Sequence, residues 1–283
     1  QSREKAGVLL MNINIRKVVV YLLLVMLALT TIVPMLWTFS TSLKSKQATL
    51  AFPPDIVPKE PTLNNYITLF NSYPFGRYLF NSFLVTSATV FLQVLIAGLA
   101  AFAFARFDFR FKNVLFGLYL ATLMIPFQVT AIPLYLIVRN FNWINTYQGL
   151  IVPRLFSAFG VFLLRQAFMS TPREFDESAF IDGAGYFTVF FKIVLPMNKT
   201  ALATFGIFSF MDAWNSYLWP LIVSTEQNMM TLPVGLANLH GRWITQWNLV
   251  SAGAMISIIP ILLVFLFAQK WFVQGVASSG LKG

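Results

Sequence analysis

The chain has 283 residues, 57% of them hydrophobic and only 11% charged, with a net charge of +10. A soluble domain of this length needs far more charge to cover its surface, and the apolar residues come in blocks of membrane-spanning length. With no cysteine, one histidine and ten acids, the chain lacks the means for disulfides, thiol chemistry or a metal cluster.

Read from the start, residues 1–10 are polar at first, and Met11 is a candidate initiator. Whether residues 1–10 are a native extension stays open. Arg16 and Lys17 precede the first apolar block, Val18 to Phe39. It is longer than a signal-peptide core and no small-x-small cleavage site follows, so it is expected to be an uncleaved membrane helix. A long outer loop, about 40–78, then carries Pro53, Pro54, Pro58, Pro61 and Pro74, which stop helix and stiffen an extended segment. Further spans are expected from Leu79 to Phe104, Val114 to Val138, Leu150 to Phe168, Thr200 to Val223 and Leu249 to Phe272. Pro126 and Pro133 interrupt the third.

These six spans predict an all-α integral membrane protein forming a single transmembrane domain over 1–283. With the N-terminus inside, 13 of the 20 Lys and Arg fall in inner segments and 7, including Arg139 and Arg154, in outer ones. Basic residues are retained on the cytoplasmic side, so both termini are expected there. The same rule accounts for the net charge without nucleic acid, since no basic stripe with interleaved aromatics stands outside the spans.

Polar side chains inside spans are costly and face a cavity or another helix. They include Asn81, Ser82, Gln93, Gln128, Asp212, Asn215 and Ser216. Rings stack on the C–H faces of sugars and amides bind hydroxyls, so Gln128, Trp214, Asn215 and Tyr217 are candidates for a substrate pathway. The competing reading places Trp214, Tyr217 and Trp219 in an interfacial aromatic belt. The outer loop, about 224–248, contains His240, Arg242, Trp243 and Trp247.

The inner loop, about 169–199, is the most informative segment. Thr171-Pro172-Arg173-Glu174 reads as a capping box with proline at the first helical position. A short helix should follow and end at Gly183, with a second stretch from Tyr186 to Leu195 stopped by Pro196. Four of the ten acids, Glu174, Asp176, Glu177 and Asp182, lie beside Phe175 and Phe180 in this helix. Such a helix either docks in a groove on a soluble partner or lies against the membrane or its own subunit.

Glu177-Ser178-Ala179, Asp182-Gly183 and Ile193-Val194-Leu195-Pro196 together resemble the EAA loop of ATP-binding-cassette (ABC) import permeases. Ser178 stands where that pattern has alanine. Phe162-Leu163-Leu164-Arg165-Gln166, Ala213-Trp214-Asn215, Leu218-Trp219-Pro220-Leu221 and Phe272-Val273-Gln274-Gly275 resemble the carbohydrate branch, closest to the smaller permease of maltose-type importers. The resemblance runs from the second span to the C-terminus. It implies the type I importer permease fold and a bacterial inner-membrane location. It also implies that Glu177, Ser178, Ala179, Asp182, Gly183, Leu195 and Pro196 couple the chain to an ATPase, and that the tail from Gln274 and Gly275 onward touches it. The implied partners are a second homologous permease, two ATPase subunits holding ATP and Mg, and a solute-binding protein. The chain itself has no catalytic residue and no nucleotide-binding G-x-x-x-x-G-K-[ST] motif. The implied cargo is an oligosaccharide, with glycerol-phosphate-type or acidic sugars as the alternative. An ion-coupled secondary transporter is the competing class, and Asp212 is the one acid well inside a span.

Overall fold

A computed structural model describes the backbone of residues 15–239 and 245–280 and the side chains of residues 17–239 and 245–269. In chain order the helices are α1 (Ile15–Ser42), α2 (Lys46–Thr49), α3 (Asn64–Ser72), α4 (Phe75–Arg106), α5 (Lys112–Ala121), α6 (Phe127–Asn140), α7 (Tyr147–Ile151), α8 (Ala158–Ser170), α9 (Glu174–Ile181), α10 (Tyr186–Val189), α11 (Leu195–Met197), α12 (Lys199–Trp214), α13 (Leu218–Val223), α14 (Leu232–Ala237) and α15 (Trp247–Gly280). Residues 1–14, His240 to Ile244 and residues 281–283 lie outside the described residues; Gln274 and Gly275 fall in α15, where side chains from residue 270 on are also outside them.

Among the described residues three helices are long and apolar enough to cross a membrane unaided: Lys17–Ser42, Phe75–Arg106 and Trp247–Gln269. The other three expected spans are broken. The third bends by 101° between Lys112–Met124 and Phe127–Asn140. Ile125 is held extended ahead of Pro126, which excludes helical backbone at the preceding residue. The fourth bends by 48° before Ala158, where Ser157 Oγ accepts the Gly160 N–H and starts a new helix. The expected fifth span, Thr200 to Val223, is not continuous: α12 ends at Trp214 and α13 starts at Leu218.

α4 is the centre of the bundle. Ala97, Ala101 and Ala105 repeat every fourth residue on one face, so their neighbours approach closely. Val161, Leu164 and Phe168 of α8, Phe205 of α12, and Val189, Phe190 and Val194 fill that face. Gly160 is needed in the α8–α12 contact, because a Cβ there would lie 2.2 Å from the Phe205 ring. α1 packs along α15 and is otherwise exposed and apolar from Val18 to Phe39, as a lipid-facing helix requires.

At the Phe75 end of α4 the expected outer loop 224–248 is folded back rather than free. Leu232, Val234 and Leu239 are buried. Gly235 lets Tyr78 cross the backbone, since a Cβ would meet its ring at 2.2 Å. Asn81 donates to the carbonyls of Asn228 (2.8 Å) and Met230 (2.9 Å) and accepts from Tyr147 Oη (2.8 Å). Ser82 Oγ accepts the Leu232 N–H at 2.7 Å. Asn81 and Ser82, expected to face a cavity or another helix, therefore fasten this loop. The 32 residues of α4 span about 48 Å, so the loop lies a membrane thickness away from the Arg106 end.

Candidate functional site

Two sites stand out, one around α9 at the Arg106 end of α4 and one part-way along the bundle beside Gln93. The first surrounds α9. The capping box is not formed: Thr171 ends α8, and Arg173 precedes α9 without a side-chain cap. Thr171 Oγ1 accepts instead from Asn198 Nδ2 at 2.9 Å, a residue 27 positions away that no local pattern marks. α9 is held from below. Arg106, the last residue of α4, lies with its Nε 2.6 Å from Asp176 Oδ2, and both side chains are over nine-tenths buried. Its Nη2 also donates to the Thr171 carbonyl at 3.1 Å. Burial pushes the Asp176 carboxyl above its ordinary value, while Arg106 and Arg173 pull it back down.

The aromatic contacts complete this seat. Tyr186 meets Phe107 and Phe180 edge to face, with centroids 4.9 Å and 5.1 Å apart. A cavity of ≈ 520 Å³ lies beside the ion pair, between these rings. α9 ends where expected: Gly183 has φ +83°, and Ala184 N–H reaches the Ala179 carbonyl at 2.9 Å. Glu177, Ser178, Asp182 and Gly183 are exposed, whereas Ala179 is half-buried and packs on the core beneath. Ser178 Oγ bonds back to the Glu174 carbonyl. Phe175 and Phe180 are exposed, as are Ile181 (86%) and Phe187 (73%).

Pro196 does not stop the second stretch. Residues 190–194 widen into a π-turn, with the Leu195 N–H reaching the Phe190 carbonyl. The helix continues to Met197, and the 82° bend to α12 falls at Asn198. Proline lacks the N–H that an α-helical Lys192 carbonyl would receive, and the wider turn accommodates its ring. Leu195 is half-buried on the core and Pro196 is exposed.

The second site is a cavity of ≈ 700 Å³ framed by two of the breaks, that before Ala158 and that between α12 and α13. Asn215 and Tyr217 line it together with Phe127, Phe156, Phe208 and Trp219. Gln128 and Trp214 do not. Gln128 is exposed elsewhere on α6. Trp214 is buried against α15, donating from Nε1 to the Ser257 carbonyl at 3.1 Å and stacking on Phe210. Asn215 Nδ2 folds back on the Met211 carbonyl at 2.8 Å.

The polar core of this cavity is a pair that the sequence reading separated. Arg154, counted as an outer-loop charge, sits in the break of the fourth span and ion-pairs with Asp212. Its Nη2 also donates to the Asp212 carbonyl at 3.3 Å. Gln93 Nε2 donates to the Arg154 carbonyl and its Oε1 accepts from Ser209 Oγ at 2.6 Å. Among the described residues no group of His, Cys, Asp and Glu could hold a metal ion.

Comparison with known proteins fits this geometry. Residues 93–278 match the family described as "Binding-protein-dependent transport system inner membrane component". The arabinooligosaccharides transport system permease protein AraQ of Bacillus subtilis (strain 168) is 32% identical over 95% of this chain and 97% of its own length. The sn-glycerol-3-phosphate transport system permease protein UgpE of Yersinia enterocolitica is 39% identical over 74% of this chain and 75% of its own. Among solved structures, a chain of a bacterial ABC transporter involved in the import of the acidic polysaccharide alginate superposes with a TM-score of 0.82, at 24% identity. That superposition covers 91% of this chain and 96% of that one and establishes the fold, an all-α type I importer permease. The chain belongs to the family of binding-protein-dependent transport system inner membrane components.

Proposed function

We propose that this chain is one of two permease subunits of an ABC importer that carries carbohydrate inward. The observation that carries the reading is the exposed apolar crest of α9–α10 above the anchored Arg106–Asp176 pair. A helix fixed at its root while Ile181 and Phe187 face solvent needs a partner to cover it. The ATPase subunits, which hold ATP and Mg, supply the groove. Glu177 and Asp182 offer charge at its rim, and the tail beyond Gln274 adds a second contact. A second homologous permease completes the pathway, and a loaded solute-binding protein docks at the α14 end. Both termini then lie in the cytoplasm, with the α9 loop.

ATP closes the ATPase pair, α9 moves with it, and the bend at Asn198 passes that motion to α12 and the cavity; hydrolysis resets the inward state. The carbohydrate assignment rests on the AraQ relatives and on the mix of rings and hydroxyl-binding groups at the cavity. A glycerol-phosphate-type or acidic cargo is the second reading, favoured by the UgpE relatives. A secondary carrier is the competing class, and dependence of uptake on ATP hydrolysis separates it from an importer subunit.

The test is co-purification from native membranes followed by uptake in proteoliposomes. The chain should emerge with an ATPase, a second permease and a binding protein, and sugar uptake should stop when ATP hydrolysis is blocked. A chain that purifies alone and transports without ATP overturns the reading.

A further inference from the structure

The charge that the second cavity presents is one-sided. Among the described residues lining it, Arg154 and Asp212 alone are charged. The Asp212 side chain is 72% exposed, whereas the Arg154 side chain is 14% exposed. The guanidinium is committed to the Asp212 carboxylate and carbonyl, and the network of Gln93 and Ser209 holds the Arg154 backbone in place. What faces the open volume is therefore a carboxylate with free acceptor capacity, ringed by Phe127, Phe156, Phe208 and Tyr217.

An ionisable pair inside a bundle faces water or a neighbour rather than lipid. A carboxylate in such a cavity attracts hydroxyl donors, which give it charge-assisted hydrogen bonds. It repels a ligand carboxylate or phosphate, and the partly apolar walls strengthen that repulsion. The rings offer flat faces for the C–H surfaces of a sugar. The cation that could have received an anionic ligand is largely buried behind the carboxylate, its side chain 14% exposed.

We propose that this cavity is a ligand subsite on this subunit for a neutral, hydroxyl-rich saccharide, and that Asp212, oriented by Arg154, is its specificity-determining residue. The proposal rests on the importer reading above and narrows its cargo to neutral sugars.

The chain has no cysteine, so a single introduced thiol reports on the cavity directly. Ser216 lines it, and among the described residues its side chain makes no hydrogen bond that a thiol would break. Ser216→Cys in the full chain is labelled in native membranes with a cationic and an anionic methanethiosulfonate, and the chain is then purified and weighed. Asn215→Cys, on the same wall, is the second reporter in case the first variant fails to fold. The cationic reagent should react at least about tenfold faster, and Asp212→Asn in the same background should erase that preference. Arabinotriose should protect the thiol, and trigalacturonate should not. Overturning results are a thiol inert to both reagents, an anionic preference, a cationic preference that survives Asp212→Asn, no protection by arabinotriose, or equal protection by trigalacturonate. ATP-dependent uptake of arabinotriose by the unmodified complex is measured in parallel. Uptake without protection removes this subsite and leaves the importer reading standing; protection without ATP-dependent uptake does the reverse.

Discussion

Among the described residues two Arg–Asp pairs are chemically alike and physically opposite. Arg106–Asp176 joins the end of α4 to the root of α9 with both side chains over nine-tenths buried. Arg154–Asp212 bridges two broken spans with the carboxylate largely open. A buried pair has given up its hydration and can be disturbed only at a large penalty. An open pair keeps much of its hydration, so its partners can be exchanged for a ligand's hydroxyls. The first suits an anchor that must not slip; the second suits a surface that must bind and release.

The largest effect should come from removing the cation of the buried pair. Arg106→Ala leaves the buried Asp176 with only Arg173 to offset its charge, which costs up to about 3–5 kcal/mol and should lower the thermal unfolding midpoint of the purified chain by several degrees. Asp176→Asn strands the buried Arg106 guanidinium, which cannot shed its proton, so it should also be costly, though the amide oxygen can still accept from Arg106. Negligible losses for both variants would show that the pair is not buried in the membrane-embedded chain.

Next comes the turn that ends α9. Gly183 sits at φ +83°, where proline cannot follow and other L-residues are strained by about 1–2 kcal/mol. Gly183→Pro should abolish ATP-dependent uptake and loosen ATPase attachment while the chain still inserts. Normal uptake by that variant removes the coupling role of the loop.

The pH dependence is smaller. A carboxyl raised in the folded state binds its proton more readily there than in the unfolded chain. Stability should therefore be higher below the ordinary value of 3.8 and fall as pH rises through the elevated folded value. Above that window the penalty is constant. Asp176→Asn should flatten this part of a midpoint-against-pH curve, and an unchanged curve means that another group titrates there.

How much of this was legible in advance depended on range along the chain. The apolar blocks and the α9 turn at Gly183 are written in neighbouring residues, so hydropathy and backbone chemistry locate them. The breaks were only half visible. Pro126 announces one, but the ends of α12 and α13 carry no proline or glycine at the gap itself. Partners 58 or about 150 positions apart, Arg154 with Asp212 and Asn81 with Asn228 and Met230, leave no local trace. Hence Arg154 looked like an outer-segment charge, and Asn81 could be placed only against some cavity or helix. Thr171 misled for the converse reason: its neighbours spell a capping box, yet Asn198 holds its hydroxyl.

The smallest expected effect on stability sharpens the contrast most. Asp212→Asn removes a charge that is already 72% exposed, and exposed pairs contribute at most about 1 kcal/mol. Asparagine can still accept from Arg154, so the unfolding midpoint should move by no more than a degree or two. Function should part from stability here, because the amide is a weaker acceptor for ligand hydroxyls and no longer repels anions. A midpoint loss as large as that of Arg106→Ala would make Arg154–Asp212 a second anchor, and the cavity would then be a gap left by packing. A small midpoint change with an altered charge preference at the cavity wall keeps the two pairs in their separate roles.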